Sequence, residues 1–307
     1  MESTADKSSD GPVAKGFFRR IAVVLGMIKF QHTVFALPFA LMAMLLAARG
    51  YPEAGDRWPS LRVLALIVVA CYAARSAAMA FNRLADVDQD RENPRTRNRA
   101  LVTGVLTTRF VRTFTLFHVA LFVAAAWALN RLAFCLSPVA LLILLGYSFV
   151  KRFLWATHLV LGLALGIAPV GAWIAVRGEF GWPPIILGLA VTFWTAGFDV
   201  IYACQDYEFD VAKGVHSIPA RFGIRWALVL SALFHVIAWL NMLAFGFLAA
   251  AGAPFLVGIV LVGVLLIYEH WIVRPSDLSR IGVAFFNVNG VVGFVLLACF
   301  LGDLWMR

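Results

Sequence analysis

Two stretches of this chain set oxygen-bearing side chains at a helical spacing. The first, NRLADVDQDRENPRTRNR (82–99), places Asn82, Asp86 and Asp90 four residues apart. Each step of four advances about 400° around a helix, so the three drift only about 80° and share a face. Asp88 points elsewhere, and Arg95 and Arg99 follow in the next loop. The second stretch, DVIYACQDYEFD (199–210), sets Asp199 and Asp206 seven apart and Asp210 four further on, with Tyr202 beside them. Carboxylates crowded at a membrane are costly unless paired or bound to a cation. Hard oxygen donors suit Mg2+, which is commonly held by one or two carboxylates plus substrate phosphates. Asp86, Asp90, Asp206 and Asp210 therefore read as metal ligands, with Asn82 beside them. Arg95, Arg99, Lys151 and Arg152 read as the cations that take the remaining phosphate charge.

The elements that must position these residues are membrane-spanning. The chain is 62% hydrophobic and 14% charged, against about 45–50% and about 25% in soluble domains. Apolar runs of about 18 residues or more recur along it, and the alternating segments of a β-barrel are absent from the sequence. The expected fold is all-α and polytopic, with nine transmembrane helices around a central cavity. The expected spans are 17–48 (kinked at Pro38), 61–82, 110–129, 132–149, 154–176, 183–204, 226–249, 254–273 and 282–305. Residues 1–16 read as a disordered polar tail without signal-peptide order, and 17–307 as a single transmembrane domain. The four cysteines are scattered through apolar runs and make no metal-ligand spacing.

The net charge of +9 follows from orientation rather than from nucleic acid. With the N-terminus in the cytoplasm, about 19 of the 26 lysines and arginines fall on the cytoplasmic side and about six on the other. That choice puts both acidic stretches at cytoplasmic helix ends, the C-terminus outside, and the protein in the inner (cytoplasmic) membrane. Spans two and six both end in DxxxD, and spans four and eight both end near a tyrosine and basic residues (Tyr147, Lys151, Arg152; Tyr268, Arg274). Such duplication places a binding site between the repeats.

A substrate with a diphosphate head and a long apolar tail suits this arrangement, and prenyl diphosphates have that shape. Neutralising the leaving diphosphate promotes C–O cleavage and an allylic cation. Aromatic faces near the pocket, such as Tyr147, Trp194, Phe198 or Tyr202, are candidates to stabilise it. The competing reading is a secondary transporter of an anionic metabolite. Transport sites lie near the bilayer midplane, whereas these acids sit at helix ends beside basic loops.

The chain resembles the UbiA superfamily of intramembrane aromatic prenyltransferases over its whole length. Asn82, Asp86 and Asp90 match the family's NxxxDxxxD. Arg95, Thr96 and Arg99 match RTxxR, and Tyr147 and Lys151 match YxxxK. Asp199, Tyr202, Ala203, Asp206 and Asp210 match DxxYAxxDxxxD. The resemblance implies nine helices around a cavity and Mg2+-dependent transfer of a polyprenyl chain to an aromatic ring. Asp86, Asp90, Asp206 and Asp210 would hold the metal–diphosphate, with Lys151 and the loop arginines on the diphosphate. Arg83 and Ala100 stand where many members carry aspartate and proline. The segments IKFQHTVFALPFAL and AMAFNRLAD are similar to the 4-hydroxybenzoate polyprenyltransferase-like branch, including MqnP-type enzymes. The implied acceptors are 4-hydroxybenzoate or 1,4-dihydroxy-6-naphthoate, in ubiquinone or menaquinone synthesis, and both carry a carboxylate. No protein partner is expected.

Arg75 lies seven residues before Asn82, on the same face and about two turns deeper. It is a candidate for the acceptor carboxylate or for an internal ion pair. Lys29 and His32 share a face and either contact the acceptor or snorkel to the interface. His158, His235 and His270 are expected to be structural, and Asn287 and Asn289 to bond between helices. Gly162 and Gly166 are expected at a close helix crossing.

Overall fold

The computed structural model describes residues 16–28, 35–51 and 58–306. Its helices are α1 (Phe17–Met27), α2 (Leu37–Ala48), α3 (Leu61–Ala85), α4 (Val87–Glu92), α5 (Thr108–Leu129) and α6 (Arg131–Val150). There follow α7 (Thr157–Arg177), α8 (Trp182–Ala203), α9 (Tyr207–Lys213), α10 (Ile218–Leu248), α11 (Ala253–Ile272) and α12 (Asn289–Met306). A 3-10 turn, Cys204–Asp206, joins α8 to α9, and a π turn, Val283–Val288, leads into α12. Among the described residues the only strand-like pairing is the Arg274–Asp277 bridge.

Among the described residues, eight helical segments are long and apolar enough to cross a membrane, and α2 is a ninth, shorter apolar helix. Their outward faces carry Leu116, Trp127, Leu142, Trp226, Ile267 and Trp305, all exposed. A lipid-facing helix needs this pattern, because its backbone groups are satisfied within the segment and its side chains meet hydrocarbon.

The first expected span is not one helix among the described residues. α1 and α2 are separate, and Pro38 sits in the first turn of α2 rather than at a kink. Proline is tolerated there because its missing N–H would have no intrahelical partner. Lys29 and His32 fall between the two helices, outside the described residues, as does the expected tail over residues 1–15. The seventh span is preceded by a short helical stretch that starts at Ile218 and breaks at Gly223 (φ 78°, ψ 160°), so the crossing itself begins close to the expected Trp226. Ser217 Oγ accepts from Ala220 N at 3.3 Å, and Pro219 follows in the first turn, a strong local start signal.

Packing centres on α8, which lies against α7 and α10, while α3 pairs with α5 and α2 with α7. The main core joins Phe39, Trp194, Met242, Phe245, Phe255 and Phe300 from five helices. The α7–α8 crossing is close because it is built on glycine. A Cβ at Gly162 would stand 2.1 Å from Thr192 O, and one at Gly166 would stand 2.5 Å from Gly188 O. Both obstacles are backbone. The crossing brings the end of α8, with the second acidic stretch, beside α7 and the end of α6.

Candidate active site

Both acidic stretches sit at breaks between a long helix and a short one. Asp86 joins α3 to α4 with φ −101° and ψ 3°. Asp206 joins the turn after α8 to α9 with φ −99° and ψ 7°. The two junctions share one backbone geometry, so the repeat seen in the spacing is also a repeat of conformation. The short helices carry Asp90 and Asp210 in their first turns, both buried. The expected single helical face is thus interrupted, and each motif folds around its central aspartate. Lys213 Nζ to Glu92 Oε2, at 2.7 Å, links α9 and α4 at the exposed rim.

Each central carboxylate meets a partner from elsewhere in the chain. Lys151 Nζ, just after α6, lies 2.6 Å from Asp86 Oδ2, which also accepts from Asn82 Nδ2 at 3.0 Å. Arg99 Nη1 lies 2.6 Å from both oxygens of Asp90. Arg95 grips Asp206 with two nitrogens, its Nε at 2.8 Å from Oδ1 and its Nη2 on Oδ2. Arg95 Nη1 also donates to Tyr202 Oη at 3.1 Å. Burial works against the Arg95 charge, but hydrogen bonds and attraction from Asp206 outweigh it and raise its pKa above the ordinary value. Ser217 Oγ donates to Asp210 Oδ2 at 2.8 Å. Three of the four basic residues expected to meet phosphate, Arg95, Arg99 and Lys151, are therefore, in this state, the partners of acids expected to meet metal.

These side chains line one cavity of about 850 Å³. Asn82, Asp86, Asp90, Arg95, Arg99, Lys151, Asp199, Tyr202, Asp206 and Asp210 all reach it, as do Arg83 and Ala100. Arg152 stays outside its wall and donates to Ala85 O at 2.6 Å. Trp194 also stands back, buried behind Phe35 and Phe198. Tyr268, the repeat counterpart of Tyr147, is exposed on α11. A second, mostly apolar cavity of about 400 Å³ lies among α3, α6 and α7. Arg75, Met79, Tyr147, Leu161 and Leu165 line both. Among the described residues Arg75 Nε is buried there without a hydrogen-bond partner, and Tyr147 Oη lies 3.7 Å from Met79 Sδ.

Several members of the site were not singled out from the sequence. His158, expected to be structural, lines the cavity. Its Nδ1 donates to Asp199 Oδ2 at 2.7 Å. Its Nε2 accepts from the Ile218 amide at 3.3 Å, which fixes the proton on Nδ1. Asn93 is buried and donates to Asp206 Oδ1 at 3.0 Å. Its Oδ1 accepts from Arg95 N at 2.8 Å, an Asx turn for which Asn before Pro is the local signal. Ser217 had a cap signal, but nothing local pointed it at Asp210.

The donor set fits a hard divalent cation. Asp86 Oδ1 is buried and has no hydrogen-bond partner among the described residues, a costly state for a carboxylate oxygen. Among the described residues no three acids or histidines close around a common point. An ion there would draw its remaining ligands from a substrate phosphate or water, as Mg2+ sites commonly do.

A profile described as the UbiA prenyltransferase family matches residues 36–300. The 4-hydroxybenzoate octaprenyltransferase of Vibrio cholerae serotype O1 is 31% identical over 266 residues, spanning 86% of this chain and 90% of the relative. The apo structure of a UbiA homologue from Aeropyrum pernix K1 superposes with a TM-score of 0.79 at 34% identity, covering 89% of this chain and 98% of that one. A UbiA homologue from Archaeoglobus fulgidus, solved with DMAPP and Mg2+, shares the fold with a TM-score of 0.62 at 23% identity, over 90% of this chain and 99% of that one.

Proposed function

The chain belongs to the UbiA prenyltransferase family, and from that premise we propose that it transfers a polyprenyl chain from a prenyl diphosphate to an aromatic carboxylic acid. It is a multi-pass membrane prenyltransferase of quinone biosynthesis. The carrying observation is the pairing of cavities. Five aspartates and five cationic side chains, Arg75, Arg83, Arg95, Arg99 and Lys151, line one polar chamber, whose Arg75–Tyr147 floor opens into an apolar one.

The diphosphate head enters the polar chamber and exchanges partners with it. Lys151, Arg95 and Arg99 turn from their aspartates to the phosphate oxygens, and the freed carboxylates of Asp86, Asp90 and Asp206, with Asp210 beside them, would hold the cation. Bound there, Mg2+ neutralises the charge that builds on the departing diphosphate. The exchange costs little charge separation, because every ion pair broken is replaced by another of the same sign pattern. The prenyl tail extends past Met79 and Leu165 into the apolar cavity. Arg75, buried with an unused donor at the junction, binds the acceptor carboxylate. Asp199, oriented by His158, receives the acceptor hydroxyl and takes its proton as the ring attacks the prenyl C1. Tyr147, Phe198 and Tyr202 present aromatic faces to the allylic carbon. The cytoplasm is the side of this mouth, given the excess of lysine and arginine around it.

The test is a transfer assay on detergent-purified protein with geranyl or farnesyl diphosphate. The acceptor is 4-hydroxybenzoate or 1,4-dihydroxy-6-naphthoate, with Mg2+ or with EDTA. Prenylation of one acceptor, abolished by EDTA and restored by Mg2+, is the expected result and names the pathway. A diphosphate that binds but prenylates neither acid would remove the acceptor assignment. Failure to bind any prenyl diphosphate would remove the reading altogether.

A further inference from the structure

Behind the aromatic wall of the polar chamber lies a polar cluster to which the reaction above gives no role. Glu269 of α11 is fully buried, and Asn289 at the start of α12 is 1% exposed. Asn289 Nδ2 donates to Glu269 Oε1 at 2.8 Å and to Ala284 O at 3.0 Å. Asn289 Oδ1 accepts from Trp194 Nε1 of α8 at 2.7 Å. His235 Nε2 donates to Trp194 O at 3.3 Å, so its Nδ1 accepts from His270 Nε2 at 2.9 Å. The ring of His235 fits because residue 197 is glycine: a Cβ there would lie 2.2 Å from His235 Cδ2. A cluster of this kind is expensive in an apolar bundle; among the described residues Glu269 Oε2 has no hydrogen-bond partner, while the remaining bonds tie α8, α10, α11 and α12 at one depth.

Two of its bonds reach the active chamber. The first is to Ala284 O, inside the π turn Val283–Val288. That turn carries Phe285, whose ring centroid lies 4.3 Å from Tyr202 and 5.2 Å from Phe198. The second holds the Trp194 indole, which packs at 5.0 Å against Phe198 and at 6.2 Å against Phe35. Phe35, Phe198, Tyr202 and Phe285 all line the chamber, and Tyr202 in turn sits under Arg95 at 5.3 Å. Asn289 thus sits where the π turn and the Trp194 support meet. A wide turn of this type is uncommon and needs such a local reason to persist.

We infer that Asn289, held by Glu269, is a positioning residue that sets the aromatic wall through Trp194 and the π turn, and so keeps water from the prenyl C1 during transfer. The inference rests on the prenyl-transfer reading. In productive turnover the C1–O bond breaks with its electron pair leaving on diphosphate. A ring carbon of the acceptor supplies the pair for the new C–C bond, and the ring sheds a proton. If water reaches C1 first, its oxygen supplies the pair, a proton passes to diphosphate, and the product is the free prenol. Relaxation of the π turn toward ordinary α geometry turns Phe285 away from Tyr202 and opens that route.

The experiment measures geraniol and prenylated acid together, from geranyl diphosphate with 4-hydroxybenzoate and with 1,4-dihydroxy-6-naphthoate, for the parent chain and three variants. Asn289→Leu and Trp194→Phe should raise the ratio of geraniol to prenylated acid about tenfold, the effect of losing one buried hydrogen bond of about 1.4 kcal/mol. Quenching by a non-hydrolysable geranyl thiodiphosphate should report unchanged binding of the head group. Glu269→Gln keeps an oxygen to accept from Asn289, and its ratio should stay within about twofold of the parent. Trp194→Phe keeps an aromatic ring while removing the indole N–H that bonds Asn289, and decides the matter if Asn289→Leu does not fold. An unchanged ratio in a folded variant, with both products and the thermal midpoint falling together, would mean the cluster is only structural and would overturn the inference. A parent chain that prenylates neither acid would instead overturn the function on which it rests.

Discussion

Replacing Lys151 by methionine tests the partner exchange directly. Lys151 Nζ lies 2.6 Å from Asp86 Oδ2, with the lysine side chain 27% exposed and the aspartate 4%. At an effective dielectric constant of about 20, a pair that close carries roughly 6 kcal/mol of Coulomb attraction. Desolvation of both groups removes most of it, and water at the partly exposed lysine screens part of the rest. About 2 kcal/mol of net stabilisation is a reasonable remainder. Asn82 still donates to the same oxygen in the variant, so the carboxylate keeps one partner and the fold should survive. A loss of about 2 kcal/mol should lower the thermal midpoint by about 4 °C for a chain of this size. The diagnostic sign lies in magnesium. With Lys151 gone, Asp86 has lost its counter-ion, so Mg2+ should raise the midpoint more in the variant than in the parent chain. Catalysis should fall as well, because the diphosphate loses a charge-assisted hydrogen bond worth about 2 kcal/mol, about 30-fold in kcat/KM for the prenyl diphosphate. The acceptor KM should stay within about twofold. Differential scanning fluorimetry in detergent, with Mg2+ or EDTA, and steady-state kinetics give all of these numbers. A variant with the parent's midpoint, the same response to Mg2+ and an unchanged KM for the diphosphate would refute the exchange.

Arg75→Leu should raise the acceptor KM by about 30-fold, the loss of one charge-assisted contact, with little change for the diphosphate. An unchanged acceptor KM with a lower midpoint would make Arg75 a structural residue. Asp206→Asn should abolish turnover while circular dichroism stays helical, and activity near that of the parent would remove Asp206 from the metal set. Gly162→Ala drives a methyl against Thr192 O, which is backbone and cannot rotate away. It should cost about 2 kcal/mol, read as a lowered midpoint with KM values little changed, because Gly162 itself lines neither cavity.

Much of the bundle was legible along the chain because a bilayer imposes local rules. Each crossing must satisfy its own backbone, so apolar runs such as 110–129 and 254–273 fall within two residues of the observed helices. Pro38 marks the start of α2 rather than a bend, and Ser217 with Pro219 starts a short helical stretch that breaks at Gly223, just before the expected crossing at Trp226. The four-residue spacing around Asp86 and around Asp206 was visible for the same reason, since it depends only on helical geometry.

Partner choice was a different matter. The sequence by itself determined the class of fold, the two acidic stretches and the chemistry their side chains can do. The tertiary structure decided that both stretches break at their central aspartate. It also decided that Arg95 reaches Asp206 across 111 residues of chain and that Lys151 takes Asp86. It moved His158 from the bundle's framework into the active chamber, and it joined Glu269, Asn289 and Trp194 behind the aromatic wall. Helical periodicity fixes which neighbours share a face within a few turns. Which faces then meet depends on the close α7–α8 crossing and on how each buried polar group is satisfied, and those conditions are met only when all the helices are in place.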